Sequence, residues 1–108
     1  MTHIARQWHG ITKPGRAADY VKHLESETFP GLARIPGFIG ASILKRHVGE
    51  SIEFQVVTEW ESLDSIHAFA GPDISVAVVP DVARALLSSF DAHVRHYEIE
   101  RRFEPQKR

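Results

Sequence analysis

Segments with the two-residue repeat of a β-strand alternate with segments that have the helical repeat, and their order is the strongest constraint on the fold. Alternating side chains predict strands over residues 3–12, 38–47, 52–60 and 90–103. Apolar residues at helical spacing predict a helix over residues 17–28 and a second one that starts at Leu63. The order strand, helix, strand, strand, helix, strand predicts an α+β fold of the ferredoxin-like βαββαβ type. Its four-stranded antiparallel sheet would carry the helices on one face.

Turn and capping signals mark the ends of these elements. Pro30 breaks or kinks the first helix, because proline cannot donate to the helical ladder. Ser62 lies where the N-cap of the second helix should be. The segment 73–79 would suit a strand by its apolar run, but a capping aspartate at its start favours a helical continuation. Pro80 is predicted to be the first residue of a further helix over residues 81–87.

The length of the chain allows one domain, since two independent cores would not fit in 108 residues. We expect a single domain over residues 1–108, with its core over about residues 3–99 and a tail over residues 100–108. The tail contains Arg101, Arg102, Lys107 and Arg108. Charged residues at a terminus are usually solvated, so we interpret this cluster as exposed.

Composition excludes several classes of protein. The formal net charge of −1 argues against a nucleic-acid-binding protein, which needs a basic surface to displace counterions. The absence of cysteine excludes disulfides and thiolate sites. No apolar run is long enough to cross a membrane. We therefore expect a soluble, cytoplasmic protein that binds neither nucleic acid nor membrane.

The two central strands carry apolar side chains on both of their faces. Ile43 and Leu44 point to opposite sides, and Val57 lies on the side opposite to Phe54 and Val56. A sheet with helices on one face and water on the other should alternate cleanly between apolar and polar residues. We therefore predict a homodimer in which two sheets pair face to face across a two-fold axis. The alternative is a monomer whose helices and tail cover enough of the sheet.

Three short motifs follow one another at the ends of the predicted elements. They are Ile11-Thr12-Lys13-Pro14-Gly15, Ile35-Pro36-Gly37-Phe38 and Val57-Thr58-Glu59-Trp60-Glu61-Ser62. Their order and spacing resemble the antibiotic biosynthesis monooxygenase family over about residues 3–99. The resemblance implies a dimeric α+β barrel with a cavity between sheet and helices in each subunit. The family includes cofactor-free oxygenases of aromatic polyketides, haem-degrading enzymes and many small proteins of unknown role.

The resemblance favours a monooxygenase that needs no cofactor and acts on a small aromatic or quinol-like compound. Such an enzyme removes a proton from an electron-rich phenol or anthrone, so that the carbanion can give an electron to oxygen. The alternative is a non-catalytic small-molecule-binding or stress-response protein, or a lyase or isomerase, of the same barrel class. An enclosed cavity of roughly a few hundred Å³ would favour the oxygenase, and a filled interface would favour the alternative.

Four residues are candidates for the catalytic site: Gln7, His9, Trp60 and His67. Gln7 and His9 share one face of the first strand, where Gln7 could bind a substrate oxygen and His9 could act as the base. The resemblance places a Trp at the position of Trp60, and an imidazole such as His67 can accept a proton. Each has a structural alternative. Gln7 and His9 would then lie at a solvent-exposed edge or in the dimer interface. Trp60 would lie in the core, and His67 would lie on the surface.

A metal or haem site is not expected. His93 and His96 are three residues apart on one predicted strand, so they point to opposite faces and cannot chelate a metal together. Haem-degrading members of the family use an Asn, a Trp and a His at positions that fall here, by spacing, on Gln7, Phe69 and Val79. Valine cannot replace the histidine that binds iron. The resemblance therefore implies neither haem degradation nor a cofactor.

Overall fold

The secondary structure follows the predicted order over residues 2–106, which the computed structural model describes. The strands are β1 Ile4–Thr12, β2 Phe38–Val48, β3 Ser51–Trp60, β4 Leu87–Phe90 and β5 Arg95–Glu98. The helices are α1 Ala17–His23, α2 Phe29–Leu32, α3 Leu63–Ala70 and α4 Asp81–Leu86. The predicted α+β, ferredoxin-like fold is confirmed. Within the described residues, no helix has the length and apolar character needed to span a membrane.

The sheet has the strand order β2-β3-β1, and β4 and β5 both pair with the remaining edge of β1. All of these pairings are antiparallel. The prediction of one continuous last strand over residues 90–103 is wrong, because the strand is divided into β4 and β5. Residues 92–94 leave β1 and pair with another segment: Ala77 N–H donates to Ala92 O at 2.9 Å, and Val94 N–H donates to Ser75 O at 2.8 Å.

The same contacts explain why the helix predicted over residues 73–79 does not form. Val76 makes an isolated antiparallel bridge with His93 instead. The extended alternative was therefore nearer to the observed structure, since a cross-strand partner outweighed the local capping signal. Pro80 is the N-cap of α4, in an extended conformation, and not its first residue.

The first helix changes to a π-helical turn just before Pro30, but it does not end there. A π-helical turn, Leu24–Thr28, joins α1 to α2, and Pro30 lies at the start of α2. Proline removes one N–H and clashes with the carbonyl four residues earlier, and π-helical bonding, where it occurs, mostly takes the form of a single turn inside an α-helix. The predicted N-cap of the second helix is confirmed, because Ser62 Oγ accepts from Ser65 N–H at 3.2 Å.

Two apolar clusters hold the helices against one face of the sheet. The first contains Tyr20, Leu24, Phe54, Ala83 and Leu87. The second contains Ile4, Leu32, Trp60 and Ile66. The clusters lie toward opposite ends of β1 and β3, and the space between them is the site described below.

The face of the sheet without helices, which we call the open face, is more polar than predicted. Leu44 and Tyr97 are 49% and 48% exposed on it, but polar pairs lie between its apolar residues. Gln55 Nε2 donates to Gln7 Oε1 at 2.9 Å. Arg102 of the predicted solvated tail contacts Glu59 there at 2.8 Å, whereas Lys107 and Arg108 of that tail lie outside the described residues.

Gly37 joins α2 to β2 through a conformation that favours glycine. Its φ is +95°, and a Cβ added there would lie 2.5 Å from Ser65 Cβ. We expect Gly37→Ala to lower the free energy of unfolding by about 2–4 kcal/mol, because backbone strain and overpacking add together. Gly49→Ala is the matched control, since its φ is +60° and no atom lies within 4 Å. Urea unfolding that gives equal losses for both variants would contradict the contact with Ser65.

Candidate functional site

A chamber lies between the sheet and the helices, and it adjoins a wider vestibule at the protein surface. The chamber has a volume of about 70 Å³, and the vestibule has a volume of about 590 Å³. Trp8, Tyr20, Phe29 and Phe69 form its aromatic wall. The space is neither filled nor, in its deep part, as large as a typical ligand cavity. One ring fits the chamber only if the rest of the ligand extends into the vestibule.

Arg6 is the charged residue in the wall of the chamber. Strand alternation points it inward with Ile4 and Trp8, and it is 4% exposed. Its Nη1 donates to Ile74 O at 2.5 Å and to His96 Nε2 at 2.9 Å, and its Nη2 donates to Val76 O at 3.1 Å. The guanidinium lies 5.6 Å from the centroid of the Phe69 ring. Burial lowers the pKa of Arg6 to about 10, so the side chain stays charged at neutral pH.

Trp8 forms the adjacent part of the wall on β1. Its Nε1 donates to Asp91 O at 3.0 Å, which ties the indole to the loop between β4 and β5. The ring covers Gly10 so closely that an added Cβ would lie 2.4 Å from Trp8 Cη2. Glycine at that position therefore makes room for the indole. Tyr20 packs beside Trp8 with ring centroids 6.2 Å apart.

Three hydroxyl groups, those of Tyr20, Thr28 and Thr58, also belong to the lining. Thr58 Oγ1 accepts from Trp60 Nε1 at 2.9 Å, so its own proton is free for another acceptor. Tyr20 projects from α1, and burial raises the pKa of its phenol, which keeps it protonated. His23, one turn further along α1, lines both the chamber and the vestibule. Its Nε2 lies 3.4 Å from Thr28 Oγ1. The lining thus combines hydrogen-bond donors with one imidazole.

Gln7 and His9 lie on the open face, away from the chamber. Gln7 pairs with Gln55, and His9 Nε2 lies 2.5 Å from Glu53 Oε2. Glu53 also forms a hydrogen-bonded ion pair with Arg46. Arg46 first, and His9 second, lower the pKa of Glu53 to about 2. These groups form a polar network on the open face.

Trp60 and His67 do not line the chamber either. Trp60 is completely buried between Phe38 and Phe69, with ring centroids at 5.2 and 6.2 Å. His67 is exposed, and its Nδ1 lies 2.9 Å from Gly71 O at the end of α3. The fold therefore does not bring the four predicted residues together. Their catalytic roles stay predictions, and Trp60 contacts the chamber indirectly, through its bond to Thr58 and its packing against Phe69.

Among residues 2–106, no group of three or more histidine, aspartate or glutamate side chains is close enough to hold a metal ion. Of the positions that correspond to haem-degrading relatives, Phe69 and Val79 line the chamber and Gln7 does not.

The family model of the antibiotic biosynthesis monooxygenases matches residues 11–81. The chain belongs to this family. The resemblance stated from the three motifs is thereby confirmed. None of the curated proteins matches the chain in sequence.

Solved structures with this fold include proteins with different described roles. SnoaB, a cofactor-independent oxygenase from Streptomyces nogalater, is 15% identical with a TM-score of 0.60, covering 99% of this chain and 100% of that chain. A haem-degrading protein from Mycobacterium tuberculosis is 20% identical with a TM-score of 0.61, covering 96% and 98%. A dimeric ferredoxin-like protein from an uncultured marine organism is 15% identical with a TM-score of 0.64, covering 97% and 93%. At these identities the similarity shows the fold alone.

The residues that line the chamber could be only partly predicted from the sequence. Arg6 lies between Ile4 and Trp8 on one face of the predicted strand, but only the structure shows that this face is the inward one. Tyr20 lies on the apolar face of the helix predicted over residues 17–28, and nothing in the helical pattern marks its hydroxyl. Thr58 lies in one of the three motifs, and only the structure shows that Trp60 orients it.

Proposed function

We propose that this protein is a cofactor-independent monooxygenase that acts on a small aromatic or quinol-like compound. The observation that supports this most is the chamber, which has aromatic walls and a few polar groups between the sheet and the helices. Family membership and the fold of SnoaB agree with the proposal. In this proposal the reacting ring occupies the chamber and the remainder of the compound extends into the vestibule.

The reaction begins with loss of a proton from the substrate. His23 lies at the junction of chamber and vestibule, and imidazole is suited to accept that proton near neutral pH. The resulting oxyanion accepts hydrogen bonds from Arg6 and from the hydroxyl groups of Tyr20 and Thr58. These donors are held in a largely buried site, where such bonds are stronger than in water.

The oxidation then balances without an added reductant. The carbanion gives an electron to dioxygen, and recombination of the two radicals forms a carbon–oxygen bond. Cleavage of the oxygen–oxygen bond leaves one atom as a ring carbonyl. The other atom leaves as water with two hydrogens from the substrate. A ring methylene thus loses four electrons, and one dioxygen molecule gains them.

Oxygen uptake tests the proposal directly. The purified protein, treated with a chelator and free of flavin, is expected to consume oxygen with at least one member of a panel of anthrones and hydroquinones. Uptake no faster than in the absence of protein, for every compound, would contradict it. Trp60→Phe and His67→Ala then test the residues predicted from the sequence. If both leave the turnover unchanged, their catalytic assignment is wrong.

The limited volume of the deep chamber favours the second candidate function, a non-catalytic small-molecule-binding protein of the same barrel class. The chamber volume of about 70 Å³ is smaller than that of most ligand cavities. Saturable binding of an aromatic compound, measured by quenching of Trp8 fluorescence, together with no oxygen uptake would favour this function.

The functional unit in this proposal is a homodimer formed through the open face. Leu44 and Tyr97 are half exposed there, and the dimeric ferredoxin-like relative has the same fold. We expect light scattering at micromolar concentration to give twice the 12.2 kDa mass of the chain. Leu44→Lys should shift this species toward the monomer, because it places a charge in the interface. Lys45→Leu on the other face of β2 serves as the control. A 12.2 kDa species for the unaltered protein would refute the dimer.

A further inference from the structure

The buried charge of Arg6 has no counter-charge in the described part of the chain. Its three hydrogen-bond partners are two backbone carbonyls and His96. None of the ion pairs formed within residues 2–106 involves it. An arginine residue at 4% exposure without a carboxylate partner is unusual, because burial of an unpaired charge is costly.

His96 does not supply the missing negative charge. Arginine only donates hydrogen bonds, so His96 Nε2 must accept and the ring is neutral. Burial and, secondarily, the Arg6 charge lower the pKa of His96, which keeps the ring neutral. His96 therefore orients the guanidinium without neutralising it.

Two hydrogen-bond donors on the chamber wall have no partner within residues 2–106. Arg6 Nε and the Tyr20 hydroxyl make no hydrogen bond to the described residues. Every fully enclosed side-chain nitrogen or oxygen of these residues has a partner, so both atoms must reach accessible space. Both residues line the chamber and are almost completely buried. The chamber is the space that such donors can reach.

From these contacts we infer that Arg6 forms an anion subsite, and that the chamber holds its aromatic ligand as the monoanion, with the oxyanion on Arg6. The inference rests on the proposed function in treating the chamber as the substrate site, and it names the substrate class. The anion pairs with the guanidinium, the Tyr20 hydroxyl donates a further bond, and the ring packs against Trp8 and Phe69. A carboxylate and an ionised phenol offer the same oxyanion chemistry. A neutral ring of the same shape would leave the Arg6 charge unpaired.

Binding of para-nitrophenol under nitrogen tests the subsite without any turnover. This compound is a neutral phenol at slightly acidic pH and a coloured phenolate at slightly alkaline pH. One ring therefore provides both charge states. We expect the phenolate to bind about 10- to 100-fold more tightly than the phenol, the range for hydrogen bonds to charged groups. Para-nitroanisole, which cannot ionise, should bind as weakly as the phenol. If the unaltered protein binds both forms equally, or prefers the neutral form, the inference is overturned.

Variants then assign the preference to Arg6. Arg6→Met should abolish the preference for the phenolate, and Arg6→Lys should retain part of it because the charge remains. Arg95→Met is the matched control, since Arg95 is exposed and pairs with Gln7 on the open face. If Arg6→Met does not fold, the unaltered protein and Arg6→Lys still decide the outcome. A phenolate preference that survives in folded Arg6→Met would overturn the inference.

Benzoate distinguishes the two sources of the oxyanion. Displacement of the phenolate by benzoate supports a subsite that accepts carboxylates, whereas no displacement supports one restricted to ionised phenols. The titration also separates this inference from the proposed function. Phenolate binding without oxygen uptake would retain the subsite and reject the oxygenase. Oxygen uptake without a preference for the phenolate would retain the oxygenase and reject the subsite.

Discussion

Replacement of Trp60 by alanine is expected to lower the free energy of unfolding by about 3–5 kcal/mol, the usual cost of deleting a buried large aromatic side chain. Trp60 has no exposed surface, and Phe38 contacts it edge-on with ring centroids 5.2 Å apart. Phe69 stacks on it at 6.2 Å with an interplanar angle of 21°. Small domains have a total stability of about 5–15 kcal/mol, so this variant should be marginally folded.

Trp60→Phe is the control for that experiment. Phenylalanine retains a ring against Phe38 and Phe69 but removes the N–H that Thr58 accepts, so the loss should be about 1–2 kcal/mol. Urea unfolding followed by far-ultraviolet circular dichroism measures both variants. A loss below about 1 kcal/mol for Trp60→Ala would mean that Trp60 does not anchor α3 to the sheet.

Filling the chamber is expected to reduce turnover at least about tenfold, since small misplacements of a substrate can cost about 100-fold. Val79 lines the chamber but not the vestibule, so Val79→Phe should occupy the space assigned to the reacting ring. The added ring should cost about 1–3 kcal/mol of stability through overpacking. Turnover is measured by oxygen uptake at a temperature where circular dichroism shows that the variant is folded.

Val48→Phe is the matched substitution outside the chamber. Val48 ends β2 and is 47% exposed, so the same change should leave turnover within about twofold. Equal turnover for Val79→Phe and the unaltered protein would show that the reacting ring binds elsewhere. Equal losses in both variants would point to a general effect of the substitution.

The strands β1, β2 and β3 could be predicted from the sequence because their signals are local. Each is a run of strand-forming residues that is followed within two residues by a turn or capping residue, such as Ser62 after β3. The division of the last strand could not be predicted, since it depends on the bridge between Val76 and His93. Those residues are distant in sequence, and single-sequence patterns carry no information on such pairing.

The candidate site was harder to predict because both faces of β1 mix apolar and polar residues. Ile4, Arg6 and Trp8 alternate with Gln7 and His9, and hydropathy does not decide which set faces the helices. The sequence prediction placed the chemistry on Gln7 and His9, whereas the structure turns Arg6 and Trp8 toward the chamber. Partners on other elements decide this, because Ile74, Val76 and His96 hold Arg6 in place.

Labelled oxygen gives the most direct measurement of the proposed oxygenase activity. The protein, free of flavin and treated with a chelator, is incubated with its best anthrone or hydroquinone substrate under dioxygen of the heavy isotope. We expect the product to carry one labelled atom, and we expect Val79→Phe to form less of it. A product without label, or the same amount of labelled product with no protein present, would contradict the account.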